Sequence, residues 1–200
     1  MNRQEILDLI STLSDINFDV CTEKVNQVSV IEYLKENNND KEVFTALIKY
    51  DVDLLSFASN ELKDDTQLMH SAVLEWGKDA LSYGSERIKD DELIVIDAIK
   101  YKLESSSHIL IEASERIRNN YEIVRFAMTA CHDPETYDEF QFASNELKND
   151  KNFIKDLLII FSQSFKYPSF LKFISPDLKN NKEFVYELMT INPSSEKYLK

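Results

Sequence analysis

The sequence predicts an all-α protein: an α-solenoid-like array of about five to six short helix-turn-helix repeats behind an N-terminal helical cap. Three observations predict it. The phrase Phe57-Ala58-Ser59-Asn60-Glu61-Leu62-Lys63-Asp64-Asp65 returns as Tyr83-Gly84-Ser85-Glu86-Arg87-Ile88-Lys89-Asp90-Asp91, and again around Ser114, Ser144 and Ser175. The anchor serines lie 26, 29, 30 and 31 residues apart, a period typical of stacked supersecondary units. Behind each phrase runs an apolar stripe with helical spacing.

Taken in order, residues 2–13 come first as an amphipathic helix carrying Ile6, Leu7, Leu9, Ile10 and Leu13, and the stretch from Ser14 to Tyr33 completes a cap. A degraded repeat follows, with Leu34 at the anchor position and Val43, Phe44, Leu47 and Ile48 as its stripe behind Asn39-Asp40. Terminal units are commonly atypical because one face meets water. In each full repeat a short apolar segment leads to the serine. Four residues before it stand Leu55, Leu81, Leu110, Phe140 and Leu171, and immediately before it Ala58, Gly84, Ala113, Ala143 and Ile174. The serine reads as an N-cap; Pro176 and Asp177 behind Ser175 are the residues expected in a first helical turn.

Five and six residues after the serine comes a pair drawn only from Asp and Asn: Asp64-Asp65, Asp90-Asp91, Asn119-Asn120, Asn149-Asp150 and Asn180-Asn181. Such side chains accept hydrogen bonds from the amides that a first turn leaves unsatisfied. The stripe then recurs at positions +9, +10, +13 and +14, as in Leu68, Met69, Ala72 and Val73, or Phe153, Ile154, Leu157 and Leu158. That spacing puts all four on one helical face, which a strand with its period of two cannot do. The whole chain reads as a single helical-repeat domain over 1–200: cap 1–33, repeats 34–190 and a C-terminal tail 191–200. Pro134 and Pro168 mark turns between repeats.

The composite pattern, aromatic-Ala-Ser-x-Glu-Leu-basic-Asx-Asx followed by an apolar stripe, resembles the bacterial and protist repeat known as domain of unknown function 4116 over roughly residues 30 to 190. The resemblance implies helical repeats, often within multi-domain proteins of host-associated bacteria. It implies no activity and no functional residues.

A repeat of about 30 residues is too small to fold unaided, so the units are expected to bury their apolar faces on one another. With only 2 glycines and 4 prolines there is no flexible linker and no phosphate-cradling loop. No apolar run approaches a membrane span, and acids at Glu5 and Asp8 do not suit a signal peptide. Cys21 and Cys131, in different units, suggest reduced thiols and a cytoplasmic protein, with export into a host cell the alternative that the resemblance leaves open. A net charge of −13 argues against direct nucleic-acid binding and against anionic membranes.

No catalytic, cofactor or metal constellation emerges. Cys131 and His132 are adjacent, so their side chains diverge, and His70, His108 and His132 lack metal-type spacing. The candidate partner-binding residues come from broken symmetry. Position +2 is acidic in Glu61, Glu146 and Asp177 but basic in Arg87 and Arg116, and with Arg118 and Arg125 these are four of the chain's five arginines. Arginine's planar fork suits carboxylate or phosphate recognition; the competing reading pairs these arginines with neighbouring acids such as Glu86 and Glu115. Trp76 is either an exposed anchor or the closure of a junction between units. The basic residues at +4, Lys63, Lys89, Arg118, Lys148 and Lys179, are expected to stabilise the negative end of the serine-capped turn. The expected function is a non-enzymatic protein-protein interaction module or adaptor, monomeric or weakly oligomeric, including a bacterial effector or regulator. The alternatives are an acidic inhibitor that imitates nucleic acid and a regulatory fragment of a larger enzyme.

Overall fold

Serine and Asx side chains set where most of the helices start, and a computed structural model of the chain shows how they do so. It describes residues 1–13, 24, 28–101, 108–130, 139–164 and 168–199. All elements among them are helical, and no strand occurs among the described residues. The chain divides into two compact halves, Met1–Tyr101 and Lys102–Lys200.

In the N-terminal half the order is α1 (Arg3–Leu13), α2 (Val28–Glu36), α3 (Lys41–Leu47), a 3-10 turn (Val52–Phe57), α4 (Asn60–Lys63), α5 (Thr66–Trp76), α6 (Lys78–Tyr83), α7 (Glu86–Lys89) and α8 (Glu92–Tyr101). The long helix α5 packs against α3, α6 and α8, and α1 lies on α3. In the C-terminal half a turn over 109–113 leads to α9 (Glu115–Arg118), α10 (Tyr121–Thr129), a 3-10 turn (Glu139–Phe142), α11 (Asn145–Lys148), α12 (Lys151–Ser164), a second 3-10 turn (Ser169–Phe173), α13 (Pro176–Asn180), α14 (Lys182–Ile191) and a last 3-10 turn (Pro193–Tyr198). There α12 packs against α14.

The helix starts follow the sequence. Ser59, Ser85, Ser114, Ser144 and Ser175 each accept the amide three residues on, at 3.1 to 3.3 Å. The second Asx of each pair does the same for the long helix, as Asp65 does for Leu68 at 2.9 Å and Asn181 for Phe184 at 3.0 Å. The degraded repeat keeps this cap, with Asp40 accepting from Val43. The apolar stripes are the core: Leu68, Met69, Ala72 and Val73 are buried, as are Phe153, Ile154, Leu157 and Leu158. Removing such a side chain from water contributes about 1.5–3 kcal/mol. In the last repeat Phe184 and Leu188 are buried but Val185 and Met189 are half-buried.

Residues 191–200, read as a tail, contain the Pro193–Tyr198 turn, which packs on α14 and on the Ser169–Phe173 turn, with Ser195 buried. Pro193 opens this turn behind the N-cap Asn192, whereas Pro168 is itself the N-cap of the Ser169–Phe173 turn. Between α5 and α6 the chain reverses at Gly77, whose φ of 55° is the positive value that a residue with a Cβ avoids.

Candidate binding surface

Within each half, the serine of one repeat binds the repeat before it. The Ser59 amide donates to the Asn38 carbonyl at 2.8 Å, and Ser85, Ser144 and Ser175 donate to Lys63, Arg118 and Lys148 at 2.9 Å. A hydroxyl can accept and donate together, and here it does both. While capping its own turn, Ser59 donates to Asn39 Oδ1 at 2.9 Å, Ser144 to Asn119 Oδ1 at 2.5 Å, Ser175 to Asn149 Oδ1 at 2.6 Å, and Ser85 to Asp64. The first Asx is thus not the N-cap of the long helix; at Asn39, Asp64, Asn119 and Asn149 it receives the serine of the following repeat.

Position +2 reads the same Asx a second time. Asn39 Nδ2 donates to Glu61 at 2.9 Å and Asn119 Nδ2 to Glu146 at 2.6 Å. Asp64 has no amide to offer; it accepts Arg87 Nε at 3.0 Å, and Arg87 also donates to the Asp64 carbonyl and to Thr66 Oγ1 at 3.0 Å. The Ser85 hydroxyl, with Arg87 beside it, holds the Asp64 carboxyl below its ordinary value despite some desolvation. The arginine at +2 in this repeat, Arg87, therefore has a structural cause. The sequence keeps the correlation throughout: Asn39 precedes Glu61, Asp64 precedes Arg87, Asp90 precedes Arg116, Asn119 precedes Glu146 and Asn149 precedes Asp177. Comparing +2 with the +5 residue of the preceding repeat, rather than +2 with itself, is the signal that the arginine reading lacked.

Arg87 lies in the N-terminal half, and the other three candidate arginines lie in the C-terminal half. Arg118 pairs with Glu115 at 2.9 Å and Arg125 with Glu122 at 2.5 Å, each within one helix. Exposed pairs of this kind contribute about 0–1 kcal/mol. Arg116 is exposed and lines a shallow cavity of about 290 Å³ with Glu115, Asn119, Asn145 and Glu146. The +4 lysines are structural, but they reach upstream of their own turn. Lys63, Lys148 and Lys179 donate to the carbonyls of Ser56, Gln141 and Lys172 at 3.3, 2.6 and 2.6 Å, each in the 3-10 turn before the serine. Burial, and then the Arg118 charge, hold the Lys148 ammonium below its ordinary value.

Trp76 closes α5. Its indole Nε1 donates to the Ile48 carbonyl at 2.6 Å, so the half-buried ring is fixed to the preceding repeat. The same ring lines a groove of about 400 Å³ together with Tyr50, Asp51, Asp53, Asp79 and Tyr83. Tyr50 and Trp76 occupy one repeat position, nine before their serines, and Asp53 and Asp79 another, six before; the three C-terminal repeats have Ser105, Glu135 and Lys166 at the first of these. Two neighbouring repeats thus supply matched halves of the groove. Asp51 caps the 52–57 turn by accepting the Asp53 amide at 2.8 Å, and Tyr83 donates its hydroxyl to Asp53 Oδ1 at 2.9 Å. Burial first, then the Asp53 hydrogen bond and the charges of Asp53, Asp51 and Asp79, push the Tyr83 phenol up to about 12. Sequence reading singled out Trp76 alone; Tyr83 enters it only as the aromatic that opens its phrase, and Tyr50, Asp51, Asp53 and Asp79 lie in the variable segment ahead of the phrase.

Two other polar clusters are structural. Glu139, at a position where other repeats have Leu54, Ala80, Ile109 and Phe170, is fully buried and accepts the Ile109 and Leu110 amides at 2.9 and 3.2 Å, capping the 109–113 turn. His108 stands 3.7 Å from it. His70 bonds to Asp97 at 2.8 Å and Lys100 to the same carboxylate at 2.7 Å, tying α5 to α8. Cys21, Cys131, His132 and Pro134 lie outside the described residues. Among the described residues no group of three His, Cys, Asp or Glu gathers to hold a metal, and no helix is long and apolar enough to cross a membrane.

Searches against curated proteins and against solved structures match nothing. The model of the family described as Domain of unknown function (DUF4116) matches residues 165–199, a stretch that runs from the turn at 169–173 through α13 and α14 to the turn at 193–198, one repeat of the pattern described above.

Proposed function

We propose that the chain is a non-enzymatic protein-binding module, its repeats stacked as an α-solenoid-like array and its junctions used to recognise another protein. The observation that supports this most is the groove at 50–83. Conserving a repeat junction requires only apolar side chains and the serine clamp, yet this junction adds three aromatic rings and three carboxylates facing a common space. Aromatic side chains with polar tips are the residue types that dominate protein-protein hot spots. Exposed apolar side chains in the same half, Leu74 on α5 and Leu93 on α8, at 56% and 72% exposure, add contact surface outside the core. In the C-terminal half, Arg116 and Arg125 remain part of the proposed contact surface.

The test is capture followed by reconstitution. The purified chain, immobilised, is exposed to cell lysate, each captured protein is produced separately, and the pair is measured by calorimetry. A stoichiometric complex with a Kd of about 10 μM or tighter is expected. Failure of every captured protein to rebind in purified form, or turnover of a captured small molecule, overturns the reading.

A further inference from the structure

The groove between the 52–57 turn and α6 has the chemistry of a cation site. Tyr50, Trp76 and Tyr83 contribute aromatic rings, whose faces carry negative charge density and attract an ammonium or guanidinium within about 6 Å, tryptophan most strongly. Asp51, Asp53 and Asp79 contribute carboxylates that attract the same charge, and no lysine or arginine is among the described residues lining the groove. An anion would face three like charges. A neutral apolar group would bury those carboxylates without repayment. The volume, about 400 Å³, falls within the range of roughly 300–1,000 Å³ typical of ligand clefts and accommodates a long cationic side chain.

The electrostatics of the groove agree with its geometry. All three carboxylates act on the Tyr83 hydroxyl, one of the groups lining the groove, and favour its proton. The Trp76 ring is held by its bond to Ile48 and the Tyr83 ring by its bond to Asp53, so the walls are fixed before any ligand arrives and little ordering remains to be done on binding. The chain's net charge of −13 draws basic segments toward the surface.

We infer that this groove receives a lysine or arginine side chain from a basic segment of the partner protein. The assignment rests on the binding-module reading and adds the chemistry of what is bound. Trp76 is the chain's single tryptophan, so its emission reports on this groove alone. The probes are a nine-residue peptide of alternating glycine and lysine, its arginine counterpart, and the lysine peptide with every side chain acetylated. The first two are expected to change Trp76 emission saturably and the third to leave it unchanged. Asp79→Asn and Tyr50→Ala should each weaken the lysine peptide about tenfold, whereas Glu183→Gln, an equal charge loss in the C-terminal half, should alter affinity less than about twofold. Asp53→Asn, which retains an acceptor for Tyr83, provides a second groove variant if Tyr50→Ala fails to fold. No saturable change, equal binding of the acetylated peptide, or equal weakening by Glu183→Gln would each overturn the assignment. So would a reconstituted partner that binds Asp79→Asn as tightly as the parent chain, and in that case the binding-module reading survives.

Discussion

Arg87 Nε stands 3.0 Å from Asp64 Oδ1, across the junction of two successive repeats, and the same guanidinium holds the Asp64 carbonyl. Arginine breaks the acidic pattern here because aspartate occupies the place where Asn39 and Asn119 offer an amide at other junctions. Arg87→Glu alone should put two carboxylates face to face and lower the melting temperature. Adding Asp64→Asn re-creates the Asn–Glu pairing of the Asn119–Glu146 junction and should recover most of the loss. The four-variant thermal cycle checks this coupling, and purely additive melting shifts would refute it.

Ser144 carries the same clamp in a buried setting, at 4% exposure. Its hydroxyl accepts the Leu147 amide at 3.1 Å and donates to Asn119 at 2.5 Å, so Ser144→Ala removes a helix cap and a bond between repeats together. A loss of about 1–2 kcal/mol is expected from urea unfolding. Asn119→Ala should cost less than Ser144→Ala, since it leaves the cap on α11 in place.

The sequence made the helices legible because each has two independent marks, a cap and a stripe. Asn181 announces the start of α14 by hydrogen-bonding chemistry alone, and Phe184 with Leu188 announces its buried face by spacing alone. The clamp was less legible. Asn149 and Asp64 look like the first member of a capping pair, and only coordinates reveal that the second member caps while the first receives the next serine. The groove was hardest to foresee. Tyr50 and Trp76, or Asp53 and Asp79, correspond only once the repeats are aligned, and their shared space depends on how two repeats pack rather than on any local pattern. Arg87 stands out in the sequence as a break in the acidic pattern, but its explanation lies one repeat upstream, at Asp64.

Gly77 allows the reversal from α5 to α6. With φ 55° and ψ −121° its backbone lies where a Cβ is strained, and a Cβ built there would clash with the Tyr101 ring. Gly77→Ala should therefore destabilise the N-terminal half by about 1–2 kcal/mol or more, measured by urea unfolding. Because Trp76 precedes the glycine, a shift in Trp76 emission of the folded variant should accompany the loss. A variant as stable as the parent would show that the turn tolerates a different backbone path.

Acid should loosen the same half through two aspartates. The Lys41 ammonium, and then the Leu68 amide, hold the Asp65 carboxyl below its ordinary 3.8, and Lys100, followed by His70, does the same to Asp97. A carboxyl whose folded value lies below its unfolded one binds its proton more tightly when unfolded. Its stabilising contribution is therefore complete above the unfolded value and disappears as pH falls through the folded one. The urea midpoint should stay level from pH ~7 to ~5 and fall steeply below pH ~4. Asp97→Asn should lower the midpoint at neutral pH and flatten the acid limb, because the variant has lost one of the groups whose protonation drives it. An acid limb of unchanged steepness in Asp97→Asn would assign the acid sensitivity to other carboxylates, and the Asp65→Asn variant measured beside it would then show whether the Lys41 bridge between α3 and α5 carries it instead.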